Sequence, residues 1–178
     1  STNRFTNGDM LGATLGVIGS GGSLPTLLYS PTPIGEIVNI GTEDGYGYFD
    51  YKIYRSNFGS IFSFLQFNKQ FLVGISTYSM YVTLLSATSN VASILIEGST
   101  VGANTGSDVL YENGVVDMTG KRTRIYLSYN TYTAQYGFFT NILRTSAVGN
   151  IDNQPYEIIL RIGGVQLEQG RYPTSYIP

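Results

Sequence analysis

Three stretches of the chain are rich in tyrosine, YGYFDYKIY, STYSMYVTL and RTRIYLSYN, and two of them also carry charged residues. One parity of these stretches carries the residues Tyr46, Tyr48, Asp50, Lys52, Tyr54, Tyr81, Arg124 and Tyr126. Aromatic rings pack against the apolar CH faces of sugars, and planar polar groups hydrogen-bond to the hydroxyls around them. This residue set therefore predicts a glycan-binding surface.

Two other interpretations of the same residues remain open. Tyrosine and arginine are also enriched where protein subunits meet, so the surface could instead join copies of this chain, as in a trimeric fibre. Tyrosine is also common in half-buried strands that bind nothing. In that case the surface would be an ordinary solvated sheet.

The stretch GTEDGYG places Glu43 and Asp44 in a glycine-flanked turn near Asp50. Calcium takes six to eight oxygen ligands, including backbone carbonyls, so Glu43 and Asp44 are candidates for a structural Ca²⁺ site. An ordinary hairpin turn explains the same residues, and the spacing does not match an EF-hand. Apart from this calcium ion, we expect no cofactor.

The composition argues against an enzyme. The chain has no histidine and no cysteine, which removes the commonest general base and the usual nucleophile pairs. Glycoside hydrolysis needs two carboxylates across a cleft. Most of the acids instead occur singly in predicted turns, as do Asp9, Asp108, Glu112, Asp117 and Asp152. A polysaccharide-cleaving hydrolase or lyase therefore remains only a minor alternative.

The strand pattern predicts an all-β sandwich. Alternation with a period of two recurs between Gly, Asn and Asp residues, and no sustained helical periodicity is found. The alternation assigns to the interior Phe49, Tyr51, Ile53, Tyr78, Met80, Val82, Leu84, Ile125, Leu127 and Tyr129. It leaves Thr77, Ser79, Thr83 and Ser128 outside, beside the tyrosines.

The last predicted strand changes parity in its middle. Ile158, Leu160 and Ile162 share one parity, whereas Val165 and Leu167 share the other. A β-bulge at Gly163 and Gly164 would absorb the extra residue. After Gly170 the two prolines, with Tyr176 and Ile177 as apolar anchors, predict an ordered exit strip over residues 170–178. Glu168 is expected to fix this strip by accepting backbone hydrogen bonds.

Charge and hydropathy limit the partners. Formal net charge is -2, charged residues make up 12%, and Lys69 is the one charge between Ser56 and Ile96. Nucleic-acid binding is not expected, because it needs a basic face. The apolar runs are too short for a membrane span, so membrane insertion is not expected either. A surface of Ser, Thr, Asn, Gln and Tyr suits neutral or weakly acidic glycans, or the interior of an assembly.

The closing stretch GGVQLEQGRYPTSYIP resembles the end of carbohydrate-binding-like domains of phage tail and tail-fibre proteins. MLGATLGVIGSGGSLPT is similar to the lead-in segment of such domains, and IVNIGTEDGYGYFDYKIY to their first long hairpin. The resemblance implies a jelly-roll β-sandwich of two antiparallel sheets. It also implies a non-catalytic glycan-binding or assembly module of a virion protein. Related lead-in segments often place a Trp where this chain has Leu27, Leu28 and Tyr29, and since the chain has no Trp, tyrosine has to provide the stacking rings.

Residues 1–178 are accordingly predicted to form a single domain, with an irregular lead-in over residues 1–30 and the exit strip at 170–178. The function expected is receptor binding and host attachment through a glycan, in a phage tail, a similar virion protein or another extracellular setting. The alternative is a structural fibre or decoration module that oligomerises, or packs on other virion proteins, through its tyrosine-rich face.

Overall fold

The computed structural model describes residues 7–26, 28–29, 35–55, 62–67, 74–99, 106–131, 140–147 and 155–175. Within these ranges the chain forms strands and turns, and no helix that could cross a membrane is found there. The strands are β1 (Gly16–Ile18), β2 (Gly21–Gly22), β3 (Leu28–Tyr29), β4 (Gly35–Glu43), β5 (Tyr46–Arg55), β6 (Phe62–Phe67), β7 (Gly74–Ala87), β8 (Val91–Ser99), β9 (Gly106–Glu112), β10 (Val116–Asp117), β11 (Arg122–Thr131), β12 (Thr140–Ala147) and β13 (Tyr156–Gln169).

The strands form two sheets. The larger has seven strands in the order β11-β7-β13-β5-β4-β1-β2, and the other has six in the order β10-β9-β8-β12-β6-β3. Described strand pairs are antiparallel except β1 with β2, a parallel pair at the edge of the larger sheet. The predicted all-β jelly-roll sandwich is therefore confirmed.

The core lies between the sheets and is built by the predicted alternation. Buried side chains of the larger sheet are Ile37, Phe49, Tyr51, Ile53, Tyr78, Met80, Val82, Leu84, Ile125, Ile158, Leu160, Ile162, Val165 and Leu167. Val91, Ile94 and Leu110 of the smaller sheet are buried against them. The inward assignments are thus confirmed for every described side chain, a set that does not include the side chains of Leu127, Tyr129, Tyr176 and Ile177. Burying each large apolar side chain contributes about 1.5–3 kcal/mol.

The predicted bulge in β13 is confirmed. Gly163 pairs with Tyr81 and Gln166 with Ser79, so three steps on β13 match two on β7. Gly164 has φ +56°, a conformation that glycine adopts without strain. Because the bulge absorbs one residue, Val165 and Leu167 still point into the core on the far side of it.

The lead-in segment runs along one edge of the larger sheet. It consists of turns with β1 and β2 between them, and a bridge joins Thr14 to Ser23. The Asn7 side chain holds the segment closed, donating to the carbonyls of Leu11 and Thr26 and accepting from Leu11 N–H at 2.7 Å. The segment is therefore tied to itself and to β4 by backbone hydrogen bonds over residues 7–26.

Candidate functional site

All eight residues of the predicted glycan surface lie on the outer face of the seven-stranded sheet. Register brings them together: Arg124 pairs with Tyr81, Tyr126 with Ser79, and Gly163 with both Tyr81 and Tyr48. β13, which separates β5 from β7, carries no side chain at Gly163 and Gly164. The tyrosines of the neighbouring strands therefore close over the backbone of β13.

The prediction that this whole face is open to solvent is wrong. Tyr46 is only 3% exposed and Asp50 only 4%. Thr77, Ser79 and Thr83, also assigned to the outside, are buried as well. The alternation gives their direction correctly, but two further sets of groups cover them, and these sets divide the face into two parts.

The first part is a set of aromatic and charged side chains that satisfy one another, here called the paired cluster: Tyr46, Tyr48, Asp50, Tyr81, Arg122 and Arg161. The Tyr46 and Tyr81 rings stack with centroids 5.0 Å apart and planes 12° apart. The Arg122 guanidinium lies 5.0 Å from the Tyr81 centroid and 5.7 Å from that of Tyr46. Cation–π attraction and ring stacking thus hold this end of the cluster.

Hydrogen bonds fix the same end. Arg122 Nη1 donates to Tyr46 Oη at 3.2 Å and to Asp44 Oδ2 at 2.5 Å. Burial raises the pKa of the Tyr46 hydroxyl, and the nearby Arg122 opposes that rise in part. The hydrogen bonds to Tyr46 and Asp44 raise the pKa of Arg122 above its already high ordinary value. Arg122 is therefore a permanent cation bound at the rim of the face.

Asp50 and Arg161 form the other end of the paired cluster. Arg161 Nε donates to Asp50 Oδ1 at 2.8 Å and Nη2 to Oδ2 at 3.1 Å, a bidentate pair that raises the pKa of Arg161. Asn39 donates to the same carboxylate at 3.0 Å. The clamped guanidinium lies 3.9 Å from the centroid of the Tyr48 ring. A bidentate, stacked arginine is rigid, so Tyr48 and Arg161 hold each other in place.

Arg122 and Arg161 were not among the predicted site residues, although the sequence carried a signal for both. Arg122 has the parity of Arg124 and Tyr126 on the same strand. Arg161 lies between the buried residues Leu160 and Ile162, so it has the outward parity. The missing information was the register that sets Arg161 opposite Asp50.

The second part of the face lies under the exit strip and is here called the strip cradle: Thr77, Ser79, Arg124, Ser128, Gln166 and Glu168. Glu168 accepts from Thr174 N–H at 3.0 Å and from Thr174 Oγ1 at 2.5 Å, which confirms its predicted role. Thr77 Oγ1 donates to the Gly170 carbonyl at 2.7 Å. Ser128 donates to the Arg171 carbonyl and Arg124 to that of Thr174. The cradle thus holds the backbone of the strip mainly through side chains.

Of the predicted set, Lys52, Tyr54 and Tyr126 lie beside these two parts and remain accessible, and Tyr48 is partly exposed within the paired cluster. Tyr54 is 53% exposed and Tyr126 is 43% exposed, and they occupy opposite ends of the face. Lys52 pairs with Glu36 at 2.5 Å, an interaction that raises the pKa of the Lys52 ammonium group. Tyr48 is partly exposed beneath Arg161. A ligand on this face would therefore meet Lys52, Tyr54, Tyr126 and the Arg161 guanidinium that lies over Tyr48 first.

Glu43 and Asp44, the predicted calcium ligands, lie at the β4–β5 hairpin. Asp44 and Gly45 form its two-residue turn with φ +46° and +84°, the values of a type I′ turn. Asp44 pairs with Arg122, and Glu43 Oε2 lies 3.8 Å from Arg161 Nη1. Over the described ranges no group of three or more acidic side chains converges as a metal site would require. The calcium site stays a prediction.

An open cleft of about 740 Å³ lies between the lead-in segment and this hairpin. Its walls include Asp9, Leu11, Ile40, Glu43 and Asp44. The cleft is adjacent to the paired cluster through Tyr46, but its walls do not include the accessible tyrosines. It offers carboxylates rather than aromatic platforms, which sets it apart from the outer face.

Comparison with known proteins gives structural likeness alone, because no family model and no curated protein matches the sequence. One similar structure is an exo-β-agarase (7% identity, TM-score 0.52), covering 91% of this chain and 26% of that one. Another is the tripod of the baseplate of bacteriophage Tuc2009 (16% identity, TM-score 0.45), which covers 75% of this chain and 50% of that one. A third is the CBM22-2 xylan-binding domain from Paenibacillus barcinonensis (11% identity, TM-score 0.41), which covers 82% of this chain and 92% of that one. This chain thus spans about half the length of the baseplate protein and about a quarter of the length of the agarase. The likeness to the agarase supports the β-sandwich fold.

Proposed function

We propose that this domain is a non-catalytic glycan-binding module of a virion protein of the phage tail or baseplate type. The ligand is a neutral or weakly acidic polysaccharide, and it lies on the outer face of the seven-stranded sheet. The observation that carries the proposal is the Asp50–Arg161–Tyr48 arrangement, which fixes a guanidinium and an aromatic ring at the centre of that face.

The face suits a sugar chain because its polar groups are rigid and its exposed rings are tyrosines. Sugar sites combine aromatic rings with a few fixed polar groups on a surface formed in advance. Tyr54 and Tyr126 at opposite ends would contact separated sugar units, so an extended chain fits better than a monosaccharide. The closing stretch, which resembles that of phage tail domains, supports a place in a virion and a role in host attachment.

A glycan array followed by affinity electrophoresis through xylan, agarose and alginate tests this proposal. The wild-type chain is expected to be retained by at least one polysaccharide, without release of reducing ends or unsaturated sugars. Tyr48→Ala is expected to weaken retention ten- to hundredfold, since a stacked ring contributes about 1–3 kcal/mol. Cleavage products would favour the enzyme alternative, and absence of any retention would contradict the proposal.

A structural fibre module is the second candidate, and one observation favours it. β11, ten residues long, ends the seven-stranded sheet with no described strand on its outer side. An unpaired edge of this length is a template for pairing with another chain. In that case the wild-type chain would form an oligomer, seen in light scattering as a multiple of the chain mass of 19.4 kDa, while the glycan module requires no oligomer.

A further inference from the structure

The exit strip crosses the outer face along β11, between two hydrogen-bond anchors. Ser128 donates to the carbonyl of Arg171, and Arg124 donates to that of Thr174. On β11 the outward residue between Ser128 and Arg124 is Tyr126. On the strip the segment between these anchors holds Tyr172 and Pro173. The two anchors therefore place the strip backbone at Tyr172 and Pro173 over the part of β11 that carries Tyr126.

Both of these rings are open to solvent. Tyr126 is 43% exposed, and Tyr172 is 74% exposed, the highest value among the described tyrosines. Pro173 fixes its own φ and restricts Tyr172 to extended conformations. Two hydrogen bonds from Thr174 to the buried Glu168 hold the next residue. The backbone that carries Tyr172 is thus held on both sides while its ring faces water.

An ordered backbone that presents aromatic rings to water is an arrangement suited to recognition. Tyrosine offers a large apolar area and a hydroxyl at low cost in side-chain entropy, and buried anchors below it leave the ring free to meet a ligand. The CH face of a pyranose is flat and apolar, so two adjacent rings can cover one sugar unit or two consecutive ones. No such pair occurs among the accessible residues of the paired cluster.

We propose that Tyr126 and Tyr172 form a sugar-binding platform, in which the exit strip supplies one ring and the sheet the other. This inference rests on the proposed function and adds Tyr172 to the glycan site. The class of ligand is a pyranoside unit of a polysaccharide, bound through its apolar CH face. The strip then contributes directly to binding, in addition to covering the sheet.

The geometry is tested first, without a glycan. The chain has no cysteine, so a Tyr126→Cys, Tyr172→Cys double variant can be labelled at two sites with pyrene maleimide. Excimer emission that persists on dilution is expected for this pair. A Tyr54→Cys, Tyr126→Cys variant is the control, since its two positions lie at opposite ends of the face, and it should show monomer emission. Monomer emission from the 126/172 pair would overturn the placement.

The ligand role is tested by affinity electrophoresis in xylan, agarose and alginate. Tyr172→Ala and Tyr126→Ala should each raise the dissociation constant ten- to hundredfold, and the double variant by less than the product of the two. Tyr172→Phe keeps the ring and should bind within about threefold of wild type, and Val115→Ala, an exposed position on the β9–β10 turn, should bind as wild type. Wild-type retention with undiminished binding by Tyr172→Ala would overturn the platform alone. No retention of the wild type by any of the three would overturn the proposed function and, with it, the ligand role.

Discussion

The two parts of the outer face provide partners for their polar side chains in different ways. In the paired cluster, charged and aromatic side chains from β5, β7, β11 and β13 satisfy one another across the sheet. In the strip cradle, polar side chains are satisfied by the backbone of a segment that arrives from the same chain. The first solution leaves little of Tyr46 or Asp50 for a ligand. The second presents new side chains, those of the strip, to solvent.

The difference shows that a polar strand face need not be a solvent-exposed face. Thr77 and Glu168 are buried as completely as core residues, yet they are hydrogen-bonded and lie on the outer side of the sheet. Buried polar groups are tolerated when their hydrogen bonds are made. Which groups make those bonds decides whether a mutation affects the whole fold or only the strip.

The largest effect is expected at the boundary between the two parts. A Cβ at Gly163 would lie 2.5 Å from the Gly47 carbonyl oxygen and 2.8 Å from Tyr48 Cβ, and backbone cannot move aside cheaply. Gly163→Ala is therefore expected to cost about 3 kcal/mol or more in the free energy of unfolding, measured by urea denaturation. Gly120→Ala is the control, because its Cβ meets open space and only its φ of +76° is strained, at about 1 kcal/mol. Equal losses would mean that close packing at Gly163 is unimportant.

The second-largest loss of stability is expected from a charge change in the paired cluster. Asp50→Asn leaves Arg161 without its bidentate partner, at a site where the carboxylate is almost fully buried. We expect a loss of about 2 kcal/mol in the free energy of unfolding. Glu36→Gln removes a carboxylate from the half-exposed pair with Lys52 and should cost less than about 1 kcal/mol. If both variants lose the same stability, the buried Asp50–Arg161 pair contributes no more than the more exposed Glu36–Lys52 pair.

The matching change in the strip cradle should act locally. Glu168→Gln replaces an acceptor of two hydrogen bonds from Thr174 by an amide that retains one acceptor oxygen. We expect about 1 kcal/mol of lost stability and, in hydrogen exchange, faster exchange of the Thr174 amide with little change in β5. Acceleration throughout the sheet would show that the strip and the paired cluster unfold together and not as separate units.

The smallest effect is a pH dependence of the paired cluster. Burial raises the pKa of Tyr46 above its ordinary value of 10.0, so the folded chain holds this proton more tightly than the unfolded chain. The resulting stability is fully present below pH 10.0 and is lost as pH rises through the raised pKa. The free energy of unfolding, measured with urea at successive alkaline pH values, should fall more steeply with pH for wild type than for Tyr46→Phe. Parallel curves would place the Tyr46 hydroxyl in an environment like water.

The sequence predicted the inner face well, because the alternation on each strand is a local property. Phe49, Tyr51 and Ile53 required no knowledge of the neighbouring strands. The bulge was equally local, since two glycines stand where the parity of β13 changes. Glu168 was assigned correctly because it lies six residues before its partner Thr174.

The outer face was predicted poorly, because its exposure depends on partners far apart in sequence. Asp50 and Arg161 are 111 residues apart, and only the pairing of β5 with β13 brings them together. The burial of Thr77 likewise depends on the exit strip, 93 residues further along the chain. The alternation gives the direction of such side chains but not what lies above them.

The position of β13 has a consequence for how the protein folds. This strand follows the other described strands in sequence, yet it lies inside the larger sheet, between β5 and β7. Until residues 156–169 have left the ribosome, β5 and β7 have no common neighbour, and each keeps one unpaired edge. Contacts between such distant segments slow folding and prolong the aggregation-prone stage. Synthesis through Gln169 therefore has to precede closure of the seven-stranded sheet.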